Sequence, residues 1–290
     1  MTALAPLGLV DGFPEEEYHR HPALSASSAK TLLAPSCPAR FRYEREHGRP
    51  HKAVYDVGHA AHKAVLGVGA ETVVIEAPDW KTKAAREARD EAYAAGKVPL
   101  LASEAADVEA MRAAVFADEK AAALLEHGKP EQSAFWTDWT TGIDRRARLD
   151  WLTLHDDGSA TIVDLKTSPS AAPKKFAGSV ADFGYALQAA WYIDAVQALG
   201  LADRVRFVFT VVEKSAPHLV GTYELHEDWL RIGRQQVAEA LAVFAACTAA
   251  DVWPSYTEGV ELLRPPTWLA RQYESSPWRV PQVPDLNPPF

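Results

Sequence analysis

Asp150, Asp164 and Lys166 are the residues of this chain whose types and spacing point most directly to chemistry. They lie between Arg146 and Thr167, in RARLDWLTLHDDGSATIVDLKT, which reads as two strands joined by a turn at Asp156-Asp157-Gly158. Each strand carries a carboxylate at an otherwise apolar position. Residues i and i+2 of a strand share a face, so Asp164 and Lys166 project together. Two carboxylates and an ammonium on adjacent strands can hold a divalent metal, a water and a proton-handling amine around one phosphodiester. A surface ion pair explains an Asp-x-Lys tripeptide equally well when it stands alone. The rest of the chain has to decide between the two.

Other candidates lie on both sides of that hairpin. His62, in GHAAHKAVLG (58–67), offers an imidazole suited to a metal beside carboxylates. His59 is three residues earlier and could face the same site, but a third ligand from that segment is missing, which argues against zinc. Glu131, in PEQSAFW, opens the first strand of the same region and matters only if the fold brings it near Asp150. Gln188 and Tyr192 in FGYALQAAWY share a helix face, extended by Tyr185, while Phe183, Leu187, Trp191 and Ala195 form a stripe suited to packing on a sheet. Arg145, Arg146, Arg148, Lys174, Lys175, Ser27, Ser28, Lys30, Arg40, Arg42 and Arg45 could hold phosphates, or be solvated surface.

These residues need elements to position them. The N-terminal part reads as helical: 29–33 after the caps of Leu24-Ser25-Ala26-Ser27-Ser28, then 39–47, 55–66, 80–95 and 103–127, with a short strand at 73–75. From Glu131 the pattern turns to strands, at 133–139, 145–154 and 161–167. A helix over 182–199 follows, then strands at 205–213 and 218–225 and a long helix over 227–249. Strands and helices in that order predict a mixed α/β or α+β core with a central sheet flanked by helices. Three parts are expected within one structural domain: a helical 1–130 contributing His62, a core over 131–253, and a tail over 254–290. That tail holds 8 of the 20 prolines and is expected to be irregular, wrapping the core or mediating assembly.

With 290 residues and 48% hydrophobic content the chain can bury a full core. No apolar run approaches the roughly 18–20 residues of a membrane span, and MTALAPLGLVDGF lacks the basic and apolar regions of a leader. The two cysteines, Cys37 and Cys247, fit a reducing cytoplasm and are too few for a four-cysteine iron–sulfur cluster. A net charge of −9 argues against nonspecific coating of nucleic acid, but not against an enzyme that grips DNA locally.

Taken in order, LSASSAKTLLAPSCPARFRY (24–43), GHAAHKAVLG, PEQSAFW, TGIDRRARLDWL (141–152), IVDLKTS (162–168) and FGYALQAAWY (183–192) resemble the PD-(D/E)xK nuclease superfamily. Within it, the chain looks most like the RecE-type exonucleases (exodeoxyribonuclease VIII) and their phage relatives. The proline of the first motif is absent, its place being taken by Leu149-Asp150. The resemblance implies a restriction-endonuclease-like core and a magnesium- or manganese-dependent exodeoxyribonuclease. His62, Asp150, Asp164 and the backbone carbonyl of Leu165 would hold the metal, with Glu131 beside a second ion. Lys166 would position the attacking water, and Gln188 and Tyr192 would sit by the nucleophile or the DNA end. The implied substrate is double-stranded DNA, resected 5′ to 3′ for phage-type recombination or repair. A single-strand annealing protein and a ring of identical subunits are the implied partners. A structure-specific or single-strand nuclease, or an inactive DNA-binding module on the same fold, are the alternatives.

Overall fold

The computed structural model describes residues 7–49 and 51–274. Along the chain run β1 (Gly8–Val10), α1 (Glu15–Arg20), β2 (Leu24–Ser25), α2 (Ala26–Leu32), α3 (Pro38–His47), α4 (Asp56–Leu66) and β3 (Thr72–Ile75). Next come α5 (Lys83–Ala94), β4 (Val98–Leu101), α6 (Ala102–Ala117), α7 (Glu119–Leu124), β5 (Lys129–Thr137), β6 (Asp144–Leu154) and β7 (Ser159–Ser168). The last are α8 (Pro173–Asp182), α9 (Tyr185–Ala198), β8 (Arg204–Glu213), β9 (Val220–Glu224), α10 (Glu227–Ala250) and α11 (Thr267–Glu274).

Local chemistry accounts for where these elements begin and where expectation slipped. Ser25 caps α2 by accepting from the Ser28 amide at 3.2 Å, and Thr82 caps α5 in the same way. The single helix expected over 103–127 is two, because the Asp118 carboxylate accepts from the amides of Lys120 and Ala121 and starts α7. The helix expected over 182–199 begins only at Tyr185, as α9. Gly184 sits at φ +61°, a left-handed conformation that a helix cannot continue through, so α8 ends before it and α9 starts after it. Phe183, expected on the packing stripe, is therefore outside α9 and 60% exposed, while Leu187, Trp191 and Ala195 are buried. The short β1, α1, β2 and β4 and the helix α8 were not anticipated. The tail is not wholly irregular, since it contains α11; its residues 275–290 lie outside the described residues.

The chain divides into two units at Ser255, with α11 in the second. In the first, a mixed sheet runs β1-β5-β6-β7-β8-β9, antiparallel except for β7 and β8. A parallel pair needs a crossover, and α8 and α9 supply it. β3 and β4 form a separate parallel pair. Side chains alternate across β7: Ala160 and Ile162 enter the main core with α9 and α10, whereas Val163 and Leu165 enter a second layer with α4 and α6. Helix α10 lies close against α9 because Gly233 has no side chain; a Cβ there would meet the Ala186 carbonyl oxygen at 2.2 Å. No helix among the described residues is long and apolar enough to cross a membrane.

One irregularity of the sheet creates space for a site. β6 and β7 pair only from Trp151↔Val163 to Leu154↔Ala160, and then they part. Beyond that point β7 continues along β8, and β6 continues along β5. A strand has two edges, so the edge of β6 that β7 abandons is the one β2 takes, parallel, at Leu24↔Arg145 and Ser25↔Arg146. α2 then runs away from this fork with Ala26, Ala29 and Leu32 in the main core.

The far end of β6 is locked by Arg145. Its guanidinium lies 3.9 Å from the Trp191 ring centre and 4.8 Å from that of Trp136, and it pairs with Asp138 at 3.0 Å and Asp194 at 3.1 Å. Asp194 and Trp191 belong to α9, so this buried cation fastens α9 to the sheet. Removing one partner of a buried ion pair strands the other in a poor solvent. Arg145→Ala is expected to lower the free energy of unfolding in urea by about 3 kcal/mol. Arg206→Ala, which breaks the exposed pair with Glu224, is expected to cost about 1 kcal/mol or less.

Candidate active site in the sheet fork

The fork gathers side chains from both faces of the sheet. Asp150 stands on β6 one residue before the parting. Leu149 and Leu152 both enter the main core, so the alternation of β6 slips between them. The Asp150 carboxylate reaches across and accepts the Leu165 amide at 2.9 Å, replacing the ladder bond that β6 no longer provides. One residue's N–H and C=O leave the same edge of a strand, so the Leu165 carbonyl also faces the fork.

Glu131 is brought to this point by register. Pro130 pairs with Trp151 and Gln132 with Leu149, which sets Glu131 opposite Asp150. Its φ of +49° is a left-handed conformation that costs a residue with a Cβ about 1 kcal/mol. From the other layer, α4 delivers His62, whose Nδ1 lies 3.6 Å from Asp150 Oδ2. One ligand atom from each of His62, Glu131 and Asp150 lies within 4.8 Å of the others, the only such group among the described residues. Oxygen ligands bind hard divalent cations at about 2.0–2.6 Å, so atoms at these separations can share one ion. Two carboxylates and one imidazole, with no thiolate, suit a hard or borderline divalent cation better than a soft one. His59 is not brought to this cluster; its ring is 6.4 Å from that of Tyr55.

Asp164 and Lys166 project toward α9, and Asp164 is fully buried. Gln188 donates its amide to Asp164 Oδ1 at 2.6 Å. Asp164 Oδ2 is in ion contact with Lys166 Nζ yet accepts no well-directed hydrogen bond, which leaves lone pairs free inside the fork. Asp164 is not one of the three residues grouped within 4.8 Å, but the charges of Asp150 and His62 act on it. Tyr192 packs against the core with its ring 6.2 Å from Phe207, and burial raises its phenol well above the ordinary range.

Crowded acids in a dry place resist ionisation. Burial, then the charge of Asp150, pushes Glu131 up to about 8. Asp164 is pushed up to about 6, first by burial. Burial alone would pull Lys166 down, but Asp164 and then Asp150 carry it above its ordinary value, so it stays an ammonium.

The basic residues expected near phosphate divide sharply. Arg145, Arg146 and Arg148 are structural. Arg146 donates to the His21 carbonyl oxygen, and Arg148 to Ser133 Oγ at 3.0 Å and to the Phe13 carbonyl at 2.7 Å. Both lie over the Tyr18 ring and pin the N-terminal segment to β6. Arg42 pairs with Glu46 and Asp251. Lys30 alone of the basic residues singled out near the N-terminus enters the site, donating to Gln188 Oε1 at 3.1 Å. Its only sequence signal is its place on the hydroxyl-rich LSASSAK segment.

A family model described as a PDDEXK-like domain of unknown function (DUF3799) matches residues 25–266. A crystal structure described as "Putative exonuclease" from Eubacterium rectale aligns over 90% of this chain and 96% of that one, with 14% identity and a TM-score of 0.59. That likeness concerns the fold. A second structure, described as SSO0001, covers 64% of this chain and 84% of that one at 13% identity, and its TM-score of 0.27 carries no argument. No curated protein matches the chain.

The Glu131 carboxyl gives the site a measurable pH dependence. An unfolded glutamate releases its proton near ~4.3, whereas the folded site holds it up to about 8. Between these values the folded state keeps a proton that the unfolded chain has lost. That contribution to stability is full below the window and is lost as pH rises through it. In metal-free protein, the melting-temperature advantage of Glu131→Gln over wild type is expected to grow up to about pH 8. Glu131→Gly, which also relieves the backbone strain, is expected to melt higher still. Wild-type affinity for Ca²⁺ is expected to rise over the same window, because ligands bind deprotonated. A wild-type-to-glutamine difference that stays flat with pH overturns this placement of Glu131.

Proposed function

This chain belongs to the family of PDDEXK-like domains described as DUF3799, and from that premise we propose that it is a divalent-metal-dependent deoxyribonuclease acting on the ends of double-stranded DNA. The observation that carries the reading is the meeting, in one gap of the sheet, of His62, Glu131 and Asp150 with the Asp164–Lys166 pair. His62, Asp150, Asp164 and the Leu165 carbonyl are the residues that would hold Mg²⁺ or Mn²⁺, with Glu131 beside them or on a second ion. Such an ion supplies Lewis-acid polarisation of the scissile phosphate and a more acidic water.

The chain's own groups do the rest. Lys166 is kept charged by Asp164, so it acts as a fixed cation rather than as a base. It orients the attacking water and meets the charge that develops on phosphate oxygen, in a setting too dry for that charge to be screened. The bond formed joins the water oxygen to phosphorus, the bond broken is that to the leaving deoxyribose oxygen, and the proton lost by the water reaches that oxygen through solvent. Gln188 holds the Asp164 carboxylate in one orientation. Tyr192 stands one turn along α9 from Gln188. The likeness to RecE-type exonucleases favours 5′-to-3′ resection, with a 3′ single strand left for annealing.

End-labelled linear duplex, with and without Mg²⁺, tests this directly. Wild-type protein is expected to release label from the 5′ end only when Mg²⁺ is present. Asp164→Ala and Lys166→Ala are each expected to lose at least about 100-fold in rate. Full activity in either variant removes the assigned site. Faster cleavage of single strands or nicked circles than of linear duplex replaces the end-directed reading with a structure-specific one.

A further inference from the structure

Lys30 is a cation inside the fork whose contacts among the described residues are all to neutral groups. Its Nζ donates to Gln188 Oε1 at 3.1 Å and lies 5.3 Å from the centre of the Tyr185 ring. Lys166 Nζ lies 5.0 Å from the centre of the same ring. The aliphatic stem is held against Gly184, where a Cβ would come within 3.4 Å of Lys30 Cγ and Cδ. An ammonium has three protons to donate, and one carbonyl oxygen and one ring face do not use them all. The side chain remains partly exposed, so a ligand can reach it. Burial, and then repulsion from Lys166, pull its pKa down to about 7 against a weaker attraction from Asp164.

The other ammonium in the fork, on Lys166, has Asp164 as its partner; Lys30 has no carboxylate at ion-pair distance among the described residues. A half-buried ammonium with no carboxylate partner has donor capacity left for an incoming anion. On the nuclease reading above, on which this inference rests, the ligand entering the fork is a polyanion. We propose that Lys30 is a second substrate-binding cation of the site, donating to a non-bridging oxygen of a DNA phosphate held beside the Tyr185 ring. The phosphate is either an internal diester next to the scissile one or the terminal monoester of a 5′ end, since both present the same oxygens.

The test is equilibrium binding of duplex DNA, with Ca²⁺ at fixed concentration in place of Mg²⁺, over a range of salt. Each phosphate that a protein neutralises contributes about 0.9 to the slope of log affinity against log salt. Lys30→Met keeps the stem that packs on Gly184 and is expected to melt with wild type while losing about 0.9 from that slope. Lys30→Arg is expected to retain it, and Lys30→Gln repeats the loss should the methionine variant fold poorly. A difference between wild type and Lys30→Met that vanishes on 5′-hydroxyl ends assigns the terminal monoester, and one that persists assigns the internal diester. An unchanged slope in folded Lys30→Met and Lys30→Gln, with wild type still binding DNA, overturns this inference alone. Absence of DNA binding by wild type overturns the nuclease reading and this inference with it.

Discussion

The hydrogen bond from the Leu165 amide to the Asp150 carboxylate spans the gap where β6 and β7 part. A buried amide left without a partner costs roughly 1–3 kcal/mol, so an opened sheet needs something to replace the lost ladder. Here a side chain does so, and it belongs to the acid nearest His62 and Glu131. The opening and the ligand cluster are therefore one arrangement. β2 occupies the vacated edge of β6, α2 departs from it into the core, and α9 is bolted across it through Arg145 and the Trp191 indole, which donates to the Arg146 carbonyl.

The fork also sorts charge by depth. The innermost acid, Asp164, is balanced by Lys166, and its amide contact with Gln188 extends outward to Lys30. Glu131 sits under strain and against its own electrostatic preference. A strained acid crowded against Asp150 is poor for stability, and once it has lost its proton a cation relieves the repulsion that folding imposed.

Asp150, Asp164, Lys166 and the strands that carry them were legible in the sequence because period-two alternation and an Asp-Asp-Gly turn are local signals. His62 and Gln188 were legible as candidates, though only the tertiary fold says that one comes from each face of the sheet. Glu131 gave no local sign, since its importance lies in register with a residue 19 positions away. For the arginines 145, 146 and 148 the sequence left phosphate contact and solvated surface open, and the packing shows neither, for a related reason. Spacing shows that they are charged, and only packing shows Arg145 between two indoles and Arg146 turned to a backbone carbonyl. Helix ends were lost where a single residue decides: an aspartate that caps at 118, a glycine in a left-handed turn at 184.

The pairing of β2 with β6 sets an order of assembly. Leu24 finds its partner at Arg145, so about 120 residues must be made between the two halves of one ladder. At ribosomal speed that is on the order of ten seconds. Through that interval the segment bearing Lys30 has no sheet edge to join, and α9, which supplies Gln188, is made later still. A nascent chain therefore carries its acids, its lysines and its histidine as separate, inert groups. The assembled fork arrives in a late docking event, once the whole core has left the tunnel.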